Sequence, residues 1–173
     1  MKRNPALYLF IVLLLNSCFS VKPATTKTGK NLWEEFFLSP GVIQYFIKPL
    51  SFQNNEDLFQ VDFTFRNGSD SVTVNFTLEE QNAITSPDQI YFFTNNDSVR
   101  ISSTQTLLKE KSKKKFKLRQ TGKISYLELK QMMADDNWVV SLSNNLETKK
   151  YYPTNKTTRY LQVLKNNLFG TIE

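Results

Sequence analysis

A chain of 173 residues with one cysteine and no histidine is barred from much of enzyme chemistry. The commonest general base and metal ligand are missing, and a single thiol supports neither an internal disulfide nor a thiolate zinc site. Twenty-two Lys and Arg against sixteen Asp and Glu leave a net charge of +6, which favours anionic partners and leaves carboxylates, Lys and Tyr as the surviving catalytic groups.

Lys2 and Arg3 precede an unbroken apolar run from Ala6 to Leu15. A charged start, a short apolar core and a small-residue exit make the layout of a secretory signal peptide. The run is too short for a spanning helix, which needs about 20 apolar residues to cross roughly 30 Å of hydrocarbon. It closes with Leu15-Asn16-Ser17-Cys18, a stretch that resembles the lipobox of bacterial lipoproteins. That resemblance implies cleavage before Cys18, a lipidated cysteine as the mature N-terminus, and an extracytoplasmic protein held on the outer membrane of a Gram-negative envelope. Cleavage after Ser20, releasing a soluble secreted effector, is the competing reading. Residues 1–17 are then signal peptide, 18–30 the lipidated N-terminus and tether, and 31–173 one domain. Extended, the tether reaches about 40 Å.

Asn31 to Leu38 reads as a short helix, with Asn31 as its cap, Glu34 three residues on, and Leu32, Trp33, Phe36 and Phe37 on one face. Ser39-Pro40-Gly41 stops it. From Val42 the period becomes two, giving a strand over Ile43–Ile47 that resumes at Leu50–Gln53. Phe59, Val61, Phe63 and Phe65 alternate with polar residues, as do Val72, Val74, Phe76 and Leu78, and Asn67-Gly68-Ser69-Asp70 separates the two runs. This predicts an antiparallel hairpin with one wet and one buried face. Burying its eight apolar side chains, at about 1.5–3 kcal/mol each, makes it the folding core.

Glu79 to Asp88 is a polar connection. A second hairpin is expected over Gln89–Thr94 and Ser98–Leu108 around Asn95-Asn96-Asp97, followed by a strand over Lys115–Gln120. Ser125 and Glu128 form a capping box that starts a helix to Ala134, with Leu129, Met132 and Met133 as its apolar stripe. Trp138–Ser143 and Thr148–Tyr152 form a last hairpin, and Thr158–Phe169 a final helix stopped by Gly170. The fold class is mainly β with peripheral helices (α+β). Its architecture is an antiparallel β-sandwich or curled sheet of about seven or eight strands, with a closed β-barrel and C-terminal helix as the alternative.

The densest charge lies between Lys109 and Arg119, where Lys109, Lys111, Lys113, Lys114, Lys115, Lys117 and Arg119 are basic. Over 115–119 the alternation aims the cations to one face, with Phe116 and Leu118 opposite. Lysines on an edge strand discourage aggregation. The same cations also suit contact with an anionic surface such as lipid headgroups, glycolipid phosphates or an acidic envelope protein. Nucleic acid is not expected, because no reading motif accompanies the charge. Asp135-Asp136-Asn137 lacks the ligand spacing of a calcium loop and reads as a polar helix exit, so no metal and no cofactor are expected. Glu79, Glu80 and Asp97 are the carboxylates considered for glycoside chemistry. Tyr151 and Tyr152 point to opposite faces if extended, so at least one is a candidate ring for a ligand face. The leading functional reading is a non-catalytic envelope lipoprotein whose β domain binds or scaffolds another envelope component. A carboxylate-based carbohydrate-active enzyme or glycan-binding module is the alternative.

Overall fold

The computed structural model of the chain describes residues 32–112, 114–145 and 147–170. The expected signal peptide, Cys18, the tether and Lys113 lie outside the described residues. Strands β3 (Asp57–Arg66) and β4 (Ser71–Glu80) form the expected hairpin, with Phe59 opposite Leu78, Val61 opposite Phe76 and Phe63 opposite Val74. All eight apolar side chains predicted for its inner face are buried.

The segment expected to be the first helix is instead strand β1 (Trp33–Ser39), antiparallel to β2 (Val42–Asn54). Eight residues are too few to sustain a helix alone, whereas β2 offers a full ladder from Val42 to Ile47. Pro40-Gly41, taken from sequence as a helix stop, is the reverse turn of this hairpin, and Gly41 adopts φ +79° there. Asn67 holds that turn in place: its Oδ1 accepts from the Ile43 amide at 2.7 Å and its Nδ2 donates to the Gly41 carbonyl at 2.8 Å.

Strand β2 changes partner along its length. Its first half pairs with β1, its end pairs with β10 (Thr148–Pro153), and β3 runs along its other side. The change falls beside a bulge between Ile47 and Leu50, the place where Pro49, which has no amide proton, interrupts the ladder. The remaining strands are β5 (Gln89–Phe93), β6 (Ser98–Arg100), β7 (Ser102–Ser112), β8 (Lys115–Ser125) and β9 (Val139–Ser143). They complete a ten-stranded antiparallel sheet of order β6-β5-β9-β10-β2-β3-β4-β8-β7, with β1 on β2.

This sheet is nearly closed into a barrel, which is the alternative architecture rather than a sandwich, and it has ten strands rather than seven or eight. Two of the additional strands come from β1 and from the segment expected as one strand over Ser98–Leu108. That segment is broken at Ile101, whose amide still donates to Ile90 of β5 while the next residue opens β7 against β8. One residue therefore joins the two outermost strands of the sheet. Closure is visible inside the barrel, where Phe59 and Phe63 of β3 pack on Phe92 of β5 with ring centroids 6.4 and 6.0 Å apart. Those strands are four places apart in sheet order, so the contacts cross the interior.

Helix α1 (Tyr126–Met133) begins at the predicted capping box: the Glu128 amide donates to Ser125 Oγ and the Ser125 amide to Glu128 Oε2. It buries Leu129, Met132 and Met133. Helix α2 (Asn155–Val163), capped by Thr154, starts three residues before the predicted helix and runs into a π-helical turn over Leu164–Leu168. Phe169 and Tyr126 meet Phe65, closing one end of the barrel.

Candidate functional site

The other end of the barrel carries the β2–β3 and β9–β10 turns, the tip of the β7–β8 hairpin and the connection 81–88. Between that connection and the β9–β10 turn lies a cavity of about 270 Å³, lined by Leu78, Glu80, Asn82, Thr85, Leu142 and Lys149 among others. Barrel mouths are a preferred place for ligand sites.

Register explains the charge at this mouth. On β4, Leu78 and Glu80 face inward while Glu79 faces out, and on β10 Lys149 and Tyr151 share the inward face. Two inward polar ends are thereby brought together: Tyr151 Oη donates to Glu80 Oε1 at 2.7 Å, and Lys149 Nζ donates to Glu80 Oε2 at 2.7 Å. Asp57 and Glu147 stand 3.7 and 3.6 Å from the same ammonium. Burial, then the bond and charge of Glu80, raise the Tyr151 phenol far above its ordinary range. Burial pulls the Lys149 ammonium down, but Glu80, Glu147 and Asp57 outweigh it and hold the group above its usual value. Both residues keep their protons at neutral pH. Lys149 is then no nucleophile and Tyr151 no base, and the cluster can hold and orient a ligand or the wall itself.

Glu79, Glu80 and Asp97 do not assemble. Glu79 faces outward against Lys117 at 3.5 Å, and Asp97 sits in the β5–β6 turn at the far end of the barrel, accepting from the Ser98 amide. Asp135 is also spent locally, accepting from Asn95 and from the Asn137 amide. Among the described residues no group of three or more His, Cys, Asp and Glu is arranged to hold a metal, and no helix is long and apolar enough to cross a membrane.

The basic run spans the β7–β8 hairpin and divides in two. On β8 the predicted alternation is present, with Leu118 buried, Phe116 half-buried and the cations outside. Those cations are engaged. Arg119 reaches Asp62 at 3.1 Å and Thr77 at 2.9 Å, Lys117 pairs with Glu79, and Lys115 donates to the Glu56 carbonyl. Arg119 thus ties β8 across β4 to a buried Asp62 on β3, a role in the fold rather than at a ligand surface. Lys109, Lys111 and Lys114 are exposed and make no ion pair among the described residues, and Lys111 lies 5.2 Å over the Phe116 ring.

Tyr151, offered as a ring for a ligand face, is fully buried in the core against Phe59. Tyr152, its neighbour on the other face, is 55 % exposed. The Glu80–Lys149–Tyr151 cluster was missed from sequence because its members are 69 and 71 positions apart and meet only through register. The one local signal was an unbroken Glu79-Glu80 pair at a strand end, where one of the two must face inward. Searches with the chain match no family model, no curated protein and no solved structure.

Proposed function

We propose that the chain is a non-catalytic, lipid-anchored binding module of a bacterial cell envelope. Cys18 fixes it to the membrane, residues 19–30 space it from the bilayer, and the β7–β8 hairpin presents Lys109, Lys111 and Lys114 to an anionic envelope component. The observation that carries this reading is strand β7. From Ser102 to Lys111 every side chain is exposed, and Leu107 and Leu108 are 53 % and 41 % accessible. Ten successive strand residues that bury nothing in their own core are explained by what they meet outside.

Metabolic labelling with a fatty-acid analogue tests the anchor: wild type takes up label and Cys18→Ala does not. The hairpin is tested with the Cys18→Ala chain on vesicles containing anionic phospholipid. Binding should weaken with salt and be lost in the triple variant Lys109→Glu/Lys111→Glu/Lys114→Glu, whose lysines make no ion pair among the described residues. Equal labelling of both chains would reject the anchor, and unchanged vesicle binding would reject the hairpin.

A further inference from the structure

The outer face of β5, β6, β9 and β10 carries a feature unrelated to the basic hairpin. Register places Arg100, Tyr91, Ser141 and Lys150 in one row across these strands, with Ser98, Phe93 and Val139 in the next, and Tyr152 shares the outward face of Lys150. Tyr91 and Phe93 stack with centroids 5.8 Å apart, and the Arg100 guanidinium lies 6.0 Å over the Tyr91 ring. Phe93 is 40 % exposed, and the Val139 between it and β10 is only partly covered. None of the outward-facing residues on these four strands is acidic, and two are cationic.

Exposed rings on a sheet face do not stabilise the sheet they stand on as buried rings do, and here they line up. Neighbouring strands are about 4.8 Å apart, so Phe93 and Tyr152, with β9 between them, stand roughly 10 Å apart, a distance that two linked sugar rings cover. A pyranose offers an apolar C–H face to an aromatic ring and a polar rim to its surroundings. A carboxylate or phosphate on that rim meets Arg100, whose planar fork takes two oxygens at once, and Lys150. Single-stranded nucleic acid would use the same rings, but it needs a run of cations along its backbone, and this face has two.

We infer that the Tyr91, Phe93 and Tyr152 face, edged by Arg100 and Lys150, is a binding site for acidic carbohydrate. The site is independent of the β7–β8 hairpin and of the lipid anchor. It is tested with the full chain in detergent by surface plasmon resonance on immobilised polygalacturonate, dextran and oligo-dT. Retention is expected on polygalacturonate and not on dextran or oligo-dT. Phe93→Ala and Tyr152→Ala should each weaken it by about tenfold or more, the usual scale of a lost stacking ring. Tyr152→Phe should keep it, and the triple hairpin variant should leave it unchanged. Absence of retention on polygalacturonate, equal retention on oligo-dT, or ring variants that bind like wild type would each overturn the assignment. Both rings are exposed, so their loss leaves the core intact, and loss of retention in the triple hairpin variant alone would move the binding to the hairpin and likewise reject this face.

Discussion

At the scale of single residues, the barrel mouth is where the chemistry concentrates. Glu80 is nearly buried and depends on two donors, Tyr151 and Lys149. Replacing Tyr151 with Phe keeps the ring that packs on Phe59 but leaves Glu80 Oε1 without its donor, so the variant should be less stable by about 1–3 kcal/mol at neutral pH. The pH dependence follows from the same bond. An ordinary phenol loses its proton near pH 10.0, and Tyr151 in the folded chain holds it to much higher pH. Between those two points the unfolded chain binds fewer protons than the folded one. The contribution is therefore complete below pH 10 and declines as pH rises, and the raised Lys149 adds to the decline in the same direction. Guanidinium unfolding at about pH 7 and about pH 11 should show wild type losing more stability between the two than Tyr151→Phe does. Equal losses would mean that the phenol is not held protonated by the fold.

At the scale of elements, what was legible in the sequence was what depends on neighbours along the chain. Alternation in β3 and β4, Gly68 between them at φ +71°, and the Ser125–Glu128 capping box were all readable, and the structure has each of them. What depends on a distant partner was not. Trp33-Glu34-Glu35-Phe36-Phe37-Leu38 satisfies a short amphipathic helix as well as a strand, and only the vacant side of β2 decides between them. The break at Ile101 was hidden for a similar reason: apolar alternation continues through Val99 and Ile101 while the hydrogen-bonding partner switches from β5 to β8. The β1–β2 hairpin also isolates a backbone effect. A Cβ on Gly41 would meet no atom within 4 Å, so Gly41→Ala acts through the positive φ alone. Thermal unfolding should show it destabilised by about 1 kcal/mol, with Gly41→Asn, which tolerates that conformation better, in between. Wild-type stability in Gly41→Ala would mean that the turn relaxes and the hairpin does not depend on it.

At the scale of the whole molecule, the sheet becomes a barrel because its two outermost strands are consecutive in sequence and meet at Ile101. That meeting is crowded. A Cβ on Gly122 of β8 would lie 2.3 Å from the Ile101 Cγ2 and 3.0 Å from the Ser102 carbonyl oxygen, so the glycine lets the chain cross from one edge of the sheet to the other. Gly122→Ala should therefore strain the closure rather than a single strand, with a cost of about 1–3 kcal/mol for overpacking. Ile101→Ala, which empties a buried site, should cost about 2–5 kcal/mol on its own. If the two residues compete for one space, the double variant removes the closer of the two contacts that Gly122→Ala creates, the one with Ile101 Cγ2. Its destabilisation will then fall short of the summed single effects by more than the few tenths of a kcal/mol expected of independent sites. A double-mutant cycle by chemical denaturation measures this directly, and additivity would show that Gly122 is not what allows the edges to close. The mouth and the ring-bearing face lie on opposite sides of the same wall, since inward Tyr151 and outward Tyr152 are successive residues of β10. A loosened seam that spread through the wall would weaken polygalacturonate retention as well as stability. A strained crossing confined to Ile101 and Gly122 would lower stability and leave retention intact, and the second outcome is expected because β5 pairs with β9, β9 with β10 and β10 with β2, so Phe93 and Tyr152 are both held from the side away from the seam and only Arg100 adjoins it.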